Sequence, residues 1–515
     1  VSVLYWRNRR LRQRVLGSGV APTSGGRKPT MGRVLSFLVD APTPRLFAAA
    51  FASRVALLAW VVMWGSVLRD YDEGALLYDA DLRRPAVANG TRPSPALPML
   101  WHWDAVHYRH IADYGYTHES NYAFFPLVPL LVRALEHLVP AAPFVAFTAL
   151  QFVLFSASAV AMRSLLRRTI DDRLDAFLAL AAQPTAAELA KAGGEEERRR
   201  RHRRTVLGVA LFFYIASPAS IFTIVSYTEP FYVALTLAGL LQLHVKGRPI
   251  VAAACLSFAT AARSNGILAA PYLLLFGISR LRRLKDRSVA AVAGALHVAA
   301  VRVISAGLVC IPYFAVNKLA FARFCAVVEE SPQSLEIAAW IRATADAIAP
   351  ASRPTLQRMA LSAAASAEYV LDGMLSTKAV SRTRDRSHSC PPNWLGMYTD
   401  IQRRHWGLGW FSYYEWRNGH NFCIAAPLFI GVAIALRMLS RRIGWRWSRP
   451  HRWITSLVFD SPQTCWLLAM LGIAATRMHV QVVTRFVFVC PAFYLLLGAA
   501  GAASGKYWGF LLTYV

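Results

Sequence analysis

Long apolar runs alternate along the chain with short polar punctuation, most of it basic. Runs of spanning or near-spanning length fall at about 45–68, 122–140, 142–166, 205–225, 229–245, 249–262, 266–280, 289–317, 421–437, 462–476 and 486–503. A helix crossing the hydrocarbon core needs about 20 apolar residues, so the pattern predicts an all-α polytopic membrane protein, a bundle of about ten transmembrane helices. Several runs are shorter than that, which a bundle accommodates by thinning the bilayer or leaning on neighbours.

The punctuation sets the orientation. RSLLRR (163–168), ERRRRHRR (197–204), KGR (246–248), RLRRLKDR (280–287) and RMLSRRIGWRWSRPHR (437–452) belong on the cytosolic side by the positive-inside rule. With the N-terminus inside, the first helix delivers 69–121 to the other side, and an odd number of crossings must return the chain before 197–204. The runs at 122–140 and 142–166 therefore cannot both span. The first carries Arg133, Glu136, His137, Pro126 and Pro129, so it is expected to be an interfacial or re-entrant helix. SYTE (226–229), RSNG (263–266), the long loop 318–420 and MHVQVVTR (478–485) then all face outside.

This gives a basic cytosolic tail at 1–44, one transmembrane catalytic domain at 45–503 and a cytosolic tail at 504–515. Within the domain, 69–140 is the first outer loop with its interfacial helix, 167–204 a cytosolic loop and 318–420 a long outer loop. VLYWRNRRLRQRV near the start lacks the apolar core of a cleavable signal peptide, and Met31 is the first possible start. The inserts at 181–204 and about 328–388 read as solvated loops without chemistry. No internal repeat is visible, which weakens an inverted-repeat transporter reading.

Composition agrees. Of 515 residues, 55% are hydrophobic and only 17% charged, against about 25% charged in an ordinary soluble domain. The net charge of +28 is gathered in bursts between apolar runs, so no nucleic-acid partner is expected. Cys255, Cys310, Cys423, Cys465 and Cys490 lie in apolar runs, whereas Cys325 and Cys390 share the long polar loop and could form a disulfide if it is extracytosolic. The sequon Asn89-Gly90-Thr91 falls in the first outer loop and fits a glycan at Asn89.

The same parity brings Asp104, His107, Glu119, Glu229, Arg263, Asn265, Asn393, Gln402, Asn421, Gln481 and Arg485 to one membrane face. Ionisable groups near hydrocarbon are costly, so their convergence points to a functional site. A carboxylate that takes a proton from an attacking hydroxyl, with guanidinium groups on a departing phosphate, suits glycosyl transfer from a lipid phosphate. Each residue has a plainer alternative. Asp104, in WHWDAVHYRHIADYGY (101–116), could cap the following helix beside the interfacial anchors Trp101 and Trp103. Glu229 could be a first-turn acid of the helix starting at Pro230, and Arg263 and Arg485 could snorkel, although they oppose the positive-inside trend. Asn265 and Gln481 could be structural hydrogen-bond partners. His107 and His110 lack a third ligand, so no metal is expected.

The blocks WHWDAVHYRHIADYGY with NYAFFPLVPLL, SPASIFTIVSYTEPFYVALT, ARSNGIL, PPNWLGMYTDIQRRHWGLGWFSYYEWRNGHNFCIAAP and MHVQVVTRF resemble, in order, those of the glycosylphosphatidylinositol (GPI) mannosyltransferase II family. The resemblance covers most of the chain from about residue 45 to 500. It implies an inverting GT-C glycosyltransferase of the endoplasmic reticulum. Such an enzyme adds the second, α1,6-linked mannose of the GPI precursor from dolichyl-phosphate mannose. Donor, glycolipid acceptor and membrane lipids are the implied partners, with room for a small membrane partner subunit. No cofactor is implied, because two arginines can stand in for a divalent cation. The family's acidic residue of the first lumenal loop is matched by Asp104, and Glu229 joins it as a catalytic candidate. His107, Arg263, Asn265, Trp394, Gln402, Gln481 and Arg485 fall in the matching blocks as substrate-binding candidates. The chain departs from the pattern at Trp406-Gly407-Leu408-Gly409 and at Gly419-His420-Asn421-Phe422, where Pro-Asn-Phe is usual. The competing readings are another lipid-phosphate-sugar GT-C enzyme and a transporter, which would place its charges at helix midplanes.

Overall fold

Among the described residues every regular element is a helix. The computed structural model describes residues 31–67, 100–184, 194–282, 288–325, 364, 390–443, 455 and 457–503. Asn89, the tails 1–30 and 504–515, and most of the 328–388 insert lie outside them. The chain divides between Val34 and Leu35; of the first unit only residues 31–34 are described, as helix, and every other described residue belongs to the second.

Among the described residues, four helices are long and apolar enough to cross a membrane: α1 (Thr43–Gly65), α4 (Pro143–Asp171), α9 (Val289–Phe324) and the Trp416–Met438 stretch that contains most of α11 (Gly419–Ile443). A fifth is reached if Val480–Val487 and Pro491–Ala502, bent by 96°, count as one span. The chain is an all-α, multi-pass membrane protein. Several of the remaining apolar runs give shorter helices: α6 (Glu229–His244), α7 (Pro249–Ala262), α8 (Ala269–Arg282) and α12 (Pro462–Arg477) have 14 to 16 residues. Among the described residues, length and composition by themselves mark four or five spans.

The run at 122–140 gives a helix too short to cross by itself. Its helix α3 (Leu127–Leu138) has 12 residues, about 18 Å at 1.5 Å per residue, against a hydrocarbon core of about 30 Å. Val128, Pro129 and Val132 are buried on one face, while Arg133 and Glu136 face each other at 4.0 Å. The arginine-rich run is different from the loop expected of it: residues 195–204 form the first turns of α5 (Glu195–Ile215). Glu195, Glu196 and Glu197 sit in the first turn, where acids complement the helix dipole, and Arg199 pairs with Glu195 at 2.5 Å.

The core forms where α6 packs on α4 and α7, α7 on α9, and α5 on α14 (Pro491–Ala503). Arg54 of α1 is 2% exposed inside this apolar packing. Its guanidinium donates to Thr223 Oγ1 at 2.7 Å and to the Ile215 carbonyl at 2.7 Å, and lies over the Phe155 ring at 4.1 Å. It thereby ties the first span to the 3₁₀ turn Pro218–Thr223. Cys325, just past α9, is disulfide-bonded to Cys390, with Cα atoms 5.7 Å apart and a sequence separation of 65.

Candidate active site

The site is built from helix ends. Helix α2 (Asp104–Tyr114) starts directly at Asp104, after Trp103 takes φ 52°, a left-handed conformation that a tryptophan adopts only under constraint. The constraint is visible in the strap before it: Ser226 N–H donates to the Leu100 carbonyl at 2.9 Å, and the Asp104 N–H to the Tyr227 hydroxyl at 3.3 Å. Gln151, buried in the spanning helix α4, holds the other strand of this strap by donating to the carbonyls of Val225 and Tyr227 at 2.9 and 3.1 Å.

The N-cap position of this helix is Trp103, and Asp104 is its first residue. The Asp104 Oδ2 accepts from Arg485 Nη2 at 2.8 Å, across 381 residues. Arg485 lies on α13 (Val483–Val487), the short arm of the bent pair, and its Nε donates to Glu229 Oε1. Arg263 Nη1 donates to the same Glu229 oxygen at 2.5 Å and to Thr228 Oγ1 at 3.3 Å. Arg263 and Arg485 thus turn inward; neither snorkels. The Arg485 guanidinium is held against the rings of Phe222 and Tyr227, at 4.6 and 4.9 Å.

The two acids are not equivalent. Glu229, the first residue of α6, is fully buried behind the arginines, whereas the Asp104 side chain is 35% exposed. Asp104, Arg263 and Arg485 line a cavity of about 180 Å³ with Tyr108, Phe124, Tyr398, Gln402, Trp406 and His479; Glu229 does not. Burial works against the ionised form of Asp104, but the charge and hydrogen bond of Arg485, with Arg263 and His107 behind them, hold its carboxyl below the usual value. His107 stacks on Phe124 at 4.1 Å, outside the cavity lining. Burial, offset in part by Asp104, brings its pKa down to about 4.

A second cavity, of about 250 Å³, shares the wall of Ser264, Tyr398, Gln402, Leu408, Met478 and Phe486 with the first. Gln402 therefore borders both. Asn265 lines the second cavity, buried, with neither amide atom hydrogen-bonded, so it is no structural partner. Trp394 packs edge-on against Phe314 and Gln481 leaves its carbonyl oxygen unpaired, both outside the two cavities. Glu119 anchors α10 (Met397–Trp406) above the site through Arg404, at 2.7 Å, and Arg404 also holds Asp400 at 2.5 Å.

Sequence reasoning missed Tyr227, Gln151, Arg404 and His479. A lone glutamine in a spanning helix was the one signal available for Gln151. The rest needed the fold.

Two carboxylates and two arginines thus meet at helix ends, and comparisons with known proteins give the family in which this arrangement occurs. The family described as Mannosyltransferase (PIG-V) matches residues 45–179 and 195–504. The chain belongs to the PIG-V mannosyltransferase family. Its match includes every residue of the Asp104 cluster, and its gap falls in the low-complexity insert. The human protein named GPI alpha-1,6-mannosyltransferase 2 is 25% identical over 432 residues, 75% of this chain and 70% of its own. The rat and mouse proteins of that name are 24% identical over 87% of this chain and 82% of theirs, and 27% identical over 75% and 70%. No solved structure matches the chain.

Proposed function

We propose that this chain transfers the second, α1,6-linked mannose to the mannosyl-glucosaminyl-phosphatidylinositol precursor of the GPI anchor. The donor is dolichyl-phosphate mannose, and the site faces the lumen of the endoplasmic reticulum. One observation carries the reading: a single guanidinium, Arg485, links the cavity-facing carboxylate Asp104 to a buried counter-charge, Glu229, that also holds Arg263. Base and phosphate-binding cations are thereby set side by side.

In the proposed step the 6-hydroxyl oxygen of the acceptor mannose attacks the anomeric carbon of the donor. Its proton passes to Asp104, the carbon–oxygen bond to phosphate breaks with inversion, and dolichyl phosphate departs with the electron pair. Arg263 and Arg485 stabilise the charge growing on that phosphate. A carboxylate held tightly by an arginine is a weak base. A donor phosphate competing for Arg485 would loosen that hold and raise the basicity of Asp104 when it is needed. Glu229, out of reach of the cavity, acts as the residue that positions both arginines.

The test is Asp104→Asn in membranes given both substrates. Transfer should fall about 10²–10⁴-fold, the range of a lost general base, with normal expression and membrane insertion. Complementation of cells lacking the second GPI mannosylation step should fail with the variant and succeed with the parent chain. Wild-type failure to rescue, despite correct insertion, would sink the assignment.

A further inference from the structure

The Asp104 cavity holds one phosphate-binding arginine pair, yet the proposed reaction brings together two lipids that each carry a phosphate. The donor phosphate is bonded to the anomeric carbon under attack, so it must sit in the Asp104 cavity, with Arg263 and Arg485. The acceptor phosphate is separated from its reacting hydroxyl by intervening sugars, so it must sit elsewhere.

The neighbouring cavity has the right contents. Arg477, in the last turn of α12, lines it and pairs with no carboxylate among the described residues. Its guanidinium is held instead over the ring of Trp410 at 4.6 Å. Arg477 does not line the Asp104 cavity. Asn265, 5% exposed and with both amide atoms unsatisfied, lines the same chamber. A buried amide without partners is costly until a ligand supplies them. The remaining lining is largely apolar: Ile267, Leu268 and Ile473 are part of it.

The chamber also has the right depth. Trp410, Phe411 and Tyr414 are exposed, just before the apolar stretch Trp416–Met438 begins. Aromatics at the end of a span mark the headgroup level of a bilayer, where lipid phosphates lie. Phe411 N–H donates to the Thr476 carbonyl at 2.6 Å, which fixes this aromatic loop beside Arg477.

We propose that this second chamber is the acceptor subsite: Arg477 binds the phosphodiester of the glycolipid acceptor, and Asn265 hydrogen-bonds a hydroxyl of its glycan. The proposal rests on the mannosyltransferase reading. It also explains why Gln402 and Tyr398 border both cavities, since the acceptor must pass from one to the other.

The test uses the full-length protein in detergent with dolichyl-phosphate mannose and two acceptors, mannosyl-glucosaminyl-phosphatidylinositol and the same glycan lacking the lipid phosphate. Arg477→Gln should raise the acceptor KM at least about tenfold, leave the donor KM unchanged, and abolish the preference for the phosphorylated acceptor. Arg477→Lys should recover part of that preference. Direct binding of short-chain phosphatidylinositol should weaken by a similar factor in Arg477→Gln, and this arm does not depend on turnover. An unchanged acceptor KM and unchanged phosphatidylinositol binding would overturn the proposal, and a raised donor KM alone would reassign Arg477 to the donor. Lack of transfer by the wild-type protein would instead count against the mannosyltransferase reading.

Discussion

At the residue scale, the site turns on how Arg485 distributes its donors. One guanidinium edge holds Asp104 and the Nε holds Glu229, a fork that a lysine ammonium cannot reproduce. Because Arg485 does most to keep the Asp104 carboxyl below its usual value against the opposing effect of burial, Arg485→Gln should leave that burial opposed only by Arg263 and His107. The Asp104 pKa then rises, and the acid limb of the kcat/KM profile should move to higher pH. In the proposed step Asp104 acts ionised, so activity is lost as pH falls through its folded pKa, and a higher pKa brings that loss earlier. An acid limb left in place, measured on the residual activity, would separate Arg485 from Asp104. Asp104 was legible in the sequence as one of two readings, cap or base; in the structure the N-cap position falls to Trp103, and the Asp104 carboxylate pairs with Arg485.

At the element scale, the site depends on abrupt helix ends. Helix α7 stops at Ala262, Arg263 is extended, and a 3₁₀ turn, Ser264–Leu268, leads into α8. The turn folds back so closely that a Cβ on Gly266 would lie 2.6 Å from Thr260 Cα. Gly266→Ala should therefore displace both Arg263 and Asn265, costing about 1–3 kcal/mol of stability. It should also lower transfer well beyond what the stability loss predicts; full activity at normal thermal stability would show that the turn tolerates the shift. The RSNG segment was recognisable as polar punctuation at a helix end. Its tight return was not, because close approach of backbone to backbone leaves no trace in hydropathy. The arginine-rich run at 195–204 shows the converse: low complexity suggested a loop, while three first-turn acids and an i,i+4 pair made it helix.

At the scale of the whole molecule, the disulfide Cys325–Cys390 fixes the end of α9 near Trp394–Gly396, the 3₁₀ turn that precedes α10. Closing a loop with a separation of 65 residues restricts the unfolded chain by about 4 kcal/mol in the chain-entropy description. Cys325→Ser with Cys390→Ser should lower resistance to thermal inactivation in detergent, and reductant should lower it in the parent protein but not in the variant. Equal inactivation rates with and without reductant would remove the bond from the stability of this end of the molecule.

Hydropathy and charge along the chain are enough to set the class of the molecule and to mark its candidate reactive residues. Apolar runs separated by basic bursts can be satisfied only by helices in a bilayer, since a backbone in hydrocarbon must bond to itself. Ionisable residues beside apolar runs stand out against that background, and Asp104, Glu229, Arg263 and Arg485 are legible for that reason, the two arginines also because they oppose the charge rule. Which of them pair, and which acid faces the cavity, emerges only in the folded molecule. Residues 104, 229, 263 and 485 are joined by contacts across as many as 381 positions, and no local pattern encodes a partner at that distance. Burial separates the partly exposed Asp104 from the enclosed Glu229, and burial is a property of packing, not of spacing.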